Sequence, residues 1–403
     1  MNGRGYESMH ERFRVNRRDF LKVSTAVGAG ILLGTPDAWA QEQERKPPAK
    51  PATNLKDYLD VPRTAHSLPG PFPGRVVEIH DPRSVVEGKP DAAVIAAMFE
   101  KGLQTLTGRE PTESFQLLFN PEDVVGIKVN PVGSGLISTR LELVDAIVAW
   151  LEANGLPRRN IVVWDRFDYM LQDAGFTAER YPGIGIEGLQ TMDEAAMEEG
   201  ATDDSRWLDS QGRHVSEGQF DREMSYWVDV EGPKDRNYLN QHVFNGKDSY
   251  FGKLITRRLT KIINVPVYKN TGNGISIATK NIGYGAICNT GRLHQPIGFE
   301  VNTEVSAFPC IRDKWVLTVA DGLVAQYEGG PMPNAQFTYD WQRLYLATDP
   351  FALDMICQQQ IVAKRKEMGI DVNEHPRYTD YLHYGEKLGL GIADTGRIEH
   401  VTV

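Results

Sequence analysis

Cysteine is scarce. The 403 residues contain three, Cys288, Cys310 and Cys357, and none lies within three positions of another. A CxxC pair or a ferredoxin-type cluster run is therefore excluded. Three buried small hydrophobes, one disulfide with a free thiol, and three ligands of one metal all stay open. Positive charge is also short: 44 Lys+Arg face 54 Asp+Glu, for a net charge of −10. That balance argues against nucleic acid or an anionic membrane as partner, since both need basic surface. No stretch is apolar over the roughly 20 residues that a membrane-spanning helix requires. The zinc spacings HxxxH and HExxH and the nucleophile motif GxSxG are missing, which removes the readiest zinc-protease and serine-hydrolase readings. The remainder is ordinary globular composition, 41% apolar, 9% aromatic and 24% charged. One large domain or two smaller ones would fit.

The first forty residues set the compartment. Asn16-Arg17-Arg18-Asp19-Phe20-Leu21-Lys22 is a twin-arginine motif, followed by a mildly apolar run from Val23 to Gly34 and by Ala38-Trp39-Ala40. The run is too short to span a bilayer. Paired arginines, a weak apolar stretch and small residues at Ala38 and Ala40 predict a signal peptide over 1–40, cut before Gln41. The expected partner is the twin-arginine translocation machinery, and the expected destination is the periplasm. Removing the signal's charge of +2 leaves −12 on the mature chain. Residues 41–73, rich in Pro and Lys at the start, read as a tether.

Beyond them the pattern is α/β. Arg75 to His80 alternates like a strand, and Asp91 opens a helix carrying Ile95, Met98, Phe99, Leu103 and Leu106. Asp123 to Asn130 is a buried-strand run. Thr139 and Glu142 suggest a capping box for a helix through Leu151, and Ile161 to Asp165 is the returning strand of a βαβ unit. Residues 170–248 are polar and acidic, and read as an insertion and candidate lid. Their Gly183-Ile184-Gly185-Ile186-Glu187-Gly188 follows Tyr181-Pro182 rather than a strand, so it reads as a surface loop instead of a dinucleotide fingerprint. Further strands are expected at 261–267, 315–320 and 344–347, with Pro266 weakening the first. The fold class is Rossmann-like: a largely parallel sheet with flanking helices and one polar insertion.

Ligands of open α/β sheets sit beyond the carboxyl ends of the strands. Lys128, Asn130, Asp165, Lys269, Asp321 and Asp349 all fall there. The segment from Lys269 to Lys280 is the most telling. Gly272 and Gly274 would let backbone N–H groups approach an anion, a following helix would add its positive end, and Lys269, Lys280 and Asn281 would complete the grip. His294, in a polar loop, would serve as general base or metal ligand. Lys128 and Asp321 complete the expected catalytic group. His294, Asp321 and Asp349 are the candidate metal set, although Asp349 before Pro350 also reads as a helix cap.

These residues carry a resemblance. Val125-Gly126-Ile127-Lys128-Val129-Asn130, Ile263-Asn264-Val265-Pro266-Val267-Tyr268-Lys269, Ala278 to Gly285 with His294, Thr318-Val319-Ala320-Asp321-Gly322 and Ala347 to Asp354 together resemble domain-of-unknown-function family 362, in a version with a twin-arginine signal. The likeness spans roughly 75 to 400, covers 170–248 poorly, and implies one α/β domain over 74–403. Some members carry a ferredoxin-like part with cysteine clusters. This chain has none, so no iron–sulfur cluster is expected. Members often place Lys-Ser/Thr-His after the Asn-Val-Pro strand; here Lys269-Asn270-Thr271 stands there, so that histidine's role is lost.

Two functions follow as expectations. One is an exported enzyme acting on a small anionic molecule, with a metal or other cofactor as an option. The other is a periplasmic carrier or accessory subunit that holds a cofactor or metal without turnover.

Overall fold

Apolar, β-branched runs form the strands of one large sheet, and amphipathic segments between them form its helical cover. The computed structural model describes residues 49–192 and 207–403. The compact body runs from Pro51 to Val403. Its main strands are β1 (Arg75–His80), β2 (Val125–Lys128), β3 (Ile161–Phe167), β4 (Gly185–Gln190), β5 (Lys261–Asn264), β6 (Val267–Thr271), β7 (Trp315–Gln326), β8 (Thr338–Ala347) and β9 (Glu399–Thr402). They lie in the order β9-β1-β8-β7-β5-β2-β3-β4, with β6 beside β7. The block β7-β5-β2-β3-β4 is parallel, whereas β8 runs antiparallel to both neighbours. The expected α/β class with a largely parallel sheet is what forms.

Helices cover both faces. On one side α1 (Ala92–Thr107) and α2 (Leu141–Ala153) bury Ile95, Phe99, Leu143 and Ile147 against Val125, Ile127, Val163 and Ile263. Asp91 caps α1 by accepting from the N–H groups of Ala93 and Val94. On the other side α3 (Ala278–Gly283), α4 (Glu300–Ala307) and α5 (Pro350–Glu367) bury Ile282, Val301 and Phe351 in one core with Val162, Trp164 and Ile262. Burying a side chain of this size contributes about 1.5–3 kcal/mol. Lys128 pairs in register with Trp164 on β3 and with Asn264 on β5, which places the polar pair Lys128 and Asn264 side by side at the carboxyl edge of the sheet.

Four local expectations change. Residues 51–73 do not hang free as a tether: Leu55 and Leu68 are buried, and Asn54 bonds to the backbone of Ser225 and Trp227. Gly183 to Gly188, read as surface loop, runs from Gly185 onward in the edge strand β4, which pairs in parallel with β3. Its strand character comes from that pairing and not from local propensity. Part of the 170–248 stretch therefore belongs to the sheet. The Thr139–Glu142 capping box is absent: the Thr139 hydroxyl instead accepts from Asn130 N–H and donates to Val265 C=O, tying two strand ends together. Pro266 marks a break where β5 gives way to β6, so that β7 pairs first with one and then with the other. The three cysteines are buried and unpaired. Arg17, Arg18, Ala38 and Ala40 lie outside the described residues.

Candidate functional site

The carboxyl ends of β2, β3, β5 and β6 converge with α3 on a buried polar cluster. Lys128, almost wholly enclosed, forms an ion pair with Asp165. Its amine also donates to Asn281 Oδ1 at 3.0 Å and to Val129 C=O at 2.7 Å. Asn281 Oδ1 accepts a second bond, from Asn130 Nδ2 at 3.2 Å, and Asn130 Oδ1 accepts from Lys269 Nζ at 3.1 Å. Asn281 Nδ2 donates to Asn264 Oδ1, whose own amide donates to Ala278 C=O. The chain Asp165–Lys128–Asn281–Asn130–Lys269 is thus continuous. Gly285 makes room for it, since a Cβ there would lie 2.5 Å from Lys128 Cε and 2.4 Å from Asn281 C=O.

Charge is not balanced in this cluster. Lys269 is 1% exposed, and its bonding partner is a neutral amide. Burial, with the Lys280 and Lys128 charges adding to it and Asp165 opposing, lowers its pKa from 10.5 to about 7. Lys280 is partly exposed, donates to Thr271 Oγ1 at 3.2 Å and stands 5.9 Å from the centre of the Tyr284 ring. Desolvation lowers it to about 8. Burial also lowers Lys128, against the pull of Asp165. Three lysines share one carboxylate, and an amine that is partly neutral near pH 7 can transfer a proton or attack an electrophile.

His294 lies next to this group, its ring 4.6 Å from that of Tyr284. Its Nδ1 meets Thr290 C=O at 3.1 Å, and because a carbonyl accepts, the proton sits on Nδ1. Surrounding protein, then the Lys280 and Arg166 charges, hold its pKa below 6.5, so the ring is neutral at pH 7 with the Nε2 lone pair available.

Other expected site residues are placed differently. Asp321 is buried with its oxygens accepting from Arg140 and Leu323 N–H, at the entry to α2. Asp349 accepts from Phe351, Ala352, Gly74 and Ile392 N–H. Burial raises both to about 6, with those N–H groups pulling back. Their lone pairs are committed to backbone. Among the described residues no group of three or more His, Cys, Asp and Glu stands together as a metal cage, so His294, Asp321 and Asp349 are not gathered. The anion-cradling loop is a hairpin: Thr271 pairs with Gly274 around Gly272, which takes φ +53 as the turn demands. Gly274 packs flat on Phe299, where a Cβ would come within 2.7 Å of the ring. The N-terminus of α3 is closed as well, because the buried Asp354 carboxylate accepts from Ala278 and Thr279 N–H. The lysine side chains, not the glycines or the helix end, supply the positive charge.

Residues 222–359 match the family described as Domain of unknown function (DUF362). A segment similar to DUF362 therefore stands behind a segment similar to a twin-arginine signal. That signal, matched over residues 14–34 as the twin-arginine translocation pathway type, points to export across a membrane by that machinery. The DUF362 match holds Lys269, Lys280, Asn281 and His294, while Lys128, Asn130 and Asp165 come from the βαβ unit before it. No curated protein matches the chain. Among the described residues no helix is long and apolar enough to cross a membrane.

Asp165 was expected at the strand-end edge but without a role there, and Arg166 was not expected in the site. Asp165 at the end of β3 could have been paired with Lys128 from the parallel register of neighbouring strands. Arg166, which follows it, carries no such signal.

Proposed function

We propose that this protein, exported to the periplasm, binds a small anionic molecule at the strand-end cluster and acts on it. The observation that supports this most strongly is Lys269: a buried amine held by a neutral amide, beside two further lysines, with one carboxylate among them. Burying uncompensated charge costs several kcal/mol, so a site of this kind is best explained by an anion that completes it. Lys269 and Lys280 hold the ligand's charge, Asn130 and Asn281 fix the amines, and Lys128 is neutralised by Asp165 and serves as scaffold. The neutral His294, with its free Nε2, takes or returns a proton. A carrier that binds without turnover is the second reading. It is favoured by the commitment of Asp321 and Asp349 to backbone, which leaves His294 and Lys269 as the proton-transfer groups.

The test is calorimetric titration of the processed protein with orthophosphate and acetate. Losing a charged hydrogen bond costs about 1.5–3 kcal/mol, so Lys280→Ala should weaken binding about 10- to 100-fold. Its stability should barely change, since the side chain is partly exposed. Equal binding by parent and variant would remove Lys280 from the site.

A further inference from the structure

A further buried cation adjoins the lysine cluster. Arg166 follows Asp165 on β3, and its guanidinium is buried. Its three hydrogen-bond partners among the described residues are neutral: Nε donates to Gln190 Oε1 at 2.6 Å, Nη1 donates to Thr290 Oγ1, and Nη2 donates to His242 Nδ1 at 3.1 Å. Among the described residues no carboxylate stands within ion-pair distance of it. Arginine only donates, so His242 accepts at Nδ1 and carries its proton on Nε2. His214 repeats the pattern. Its Nδ1 accepts from Ser216 N–H at 3.1 Å, and its Nε2–H is buried with no partner among the described residues, with the ring stacked on Trp207. Burial and the Arg166 charge keep both imidazoles neutral at pH 7. Neutral rings beside a fixed cation offer N–H donors without adding charge.

Thr290 links the two groups. Its hydroxyl accepts from Arg166, and its carbonyl accepts from His294, which lies against Tyr284 and Lys280. Arg166 is therefore connected to Lys280 through Thr290, His294 and Tyr284. A guanidinium enclosed by neutral acceptors calls for an anion as much as Lys269 does. We propose that Arg166, with His242 beside it, is a second anion subsite, so that the ligand of the lysine cluster is a compact molecule with two anionic groups. This rests on the lysine cluster binding an anion in the first place.

The experiment titrates the processed protein with acetate, propionate and the linear dicarboxylates from oxalate to adipate. One dicarboxylate length should bind at least about tenfold tighter than acetate. Arg166→Met should remove that advantage while leaving acetate within about threefold, and Arg166→Lys should keep more of it than Arg166→Met. The inference is overturned if acetate binds and no dicarboxylate exceeds it, or if Arg166→Met weakens acetate and dicarboxylates alike. Should Arg166→Met fail to fold, the series on the parent decides. If the parent binds none of these anions, the lysine-cluster reading fails too, which is a different result from acetate binding without a dicarboxylate advantage.

Discussion

Replacing Lys269 with methionine separates a ligand-holding amine from a structural one. The side chains are similar in length, and the position is almost fully buried. A fall in pKa from 10.5 to about 7 corresponds to about 5 kcal/mol of folding free energy withheld while the amine stays charged. The sign follows from proton counts. Between pH 7 and 10.5 the unfolded chain holds the proton and the folded chain does not, so the parent gains stability as pH rises through that window. The penalty is full below pH 7 and fades toward 10.5. Methionine removes it but leaves Asn130 Oδ1 without its donor, a loss of about 1–3 kcal/mol. Lys269→Met should therefore be about 2–4 kcal/mol more stable than the parent at pH 6. The advantage should shrink with rising pH and reverse between about pH 8 and 10, where the fading penalty falls below the lost hydrogen bond. Urea unfolding at pH 6, 8 and 10 measures it, and orthophosphate titration of the same variant should show binding lost. A variant destabilised at pH 6, or a difference independent of pH, would show that the amine is compensated and would refute the reasoning.

Asp165→Asn leaves the Lys128 charge buried without its partner and should cost about 3–5 kcal/mol, read by urea unfolding, with part of the loss recovered in orthophosphate. Arg17→Lys together with Arg18→Lys should leave unprocessed precursor inside the cell, seen on an immunoblot of cell fractions; export and cutting before Gln41 would contradict the signal. The His294 ring should half-protonate below pH 6.5 in a nitrogen-15 NMR titration, and adding orthophosphate should move that point upward as the Lys280 charge is offset.

The architecture was legible where periodicity was strong. The Asp91 cap, the run of α1 and the β2–α2–β3 unit follow directly from apolar spacing and capping chemistry. The edge strand β4 was not, because Gly185 to Gln190 owes its extended form to hydrogen bonds with β3 rather than to its own residues. The packing of Leu55 and Leu68 was hidden for a similar reason: two apolar side chains in a Pro-rich stretch carry no period. In the site, Lys128, Asn130, Lys269, Lys280 and Asn281 could be placed at one sheet edge from topology alone. Most of their mutual bonds, and the bonds of Asp321 to Arg140 N–H and of Asp354 to Ala278 N–H, reach across segments more than 70 residues apart, whereas Asp349 caps its helix as its place before Pro350 suggests. Arg166 was out of reach because only the fold shows that no acid among the described residues meets it.

An anomalous difference map from a crystal soaked in selenate tests the lysine cluster most directly. The account predicts a selenium peak within hydrogen-bond reach of Lys269 Nζ and Lys280 Nζ, lost in Lys269→Met. Ordered selenate elsewhere on the protein, with none between these two amines, would contradict it.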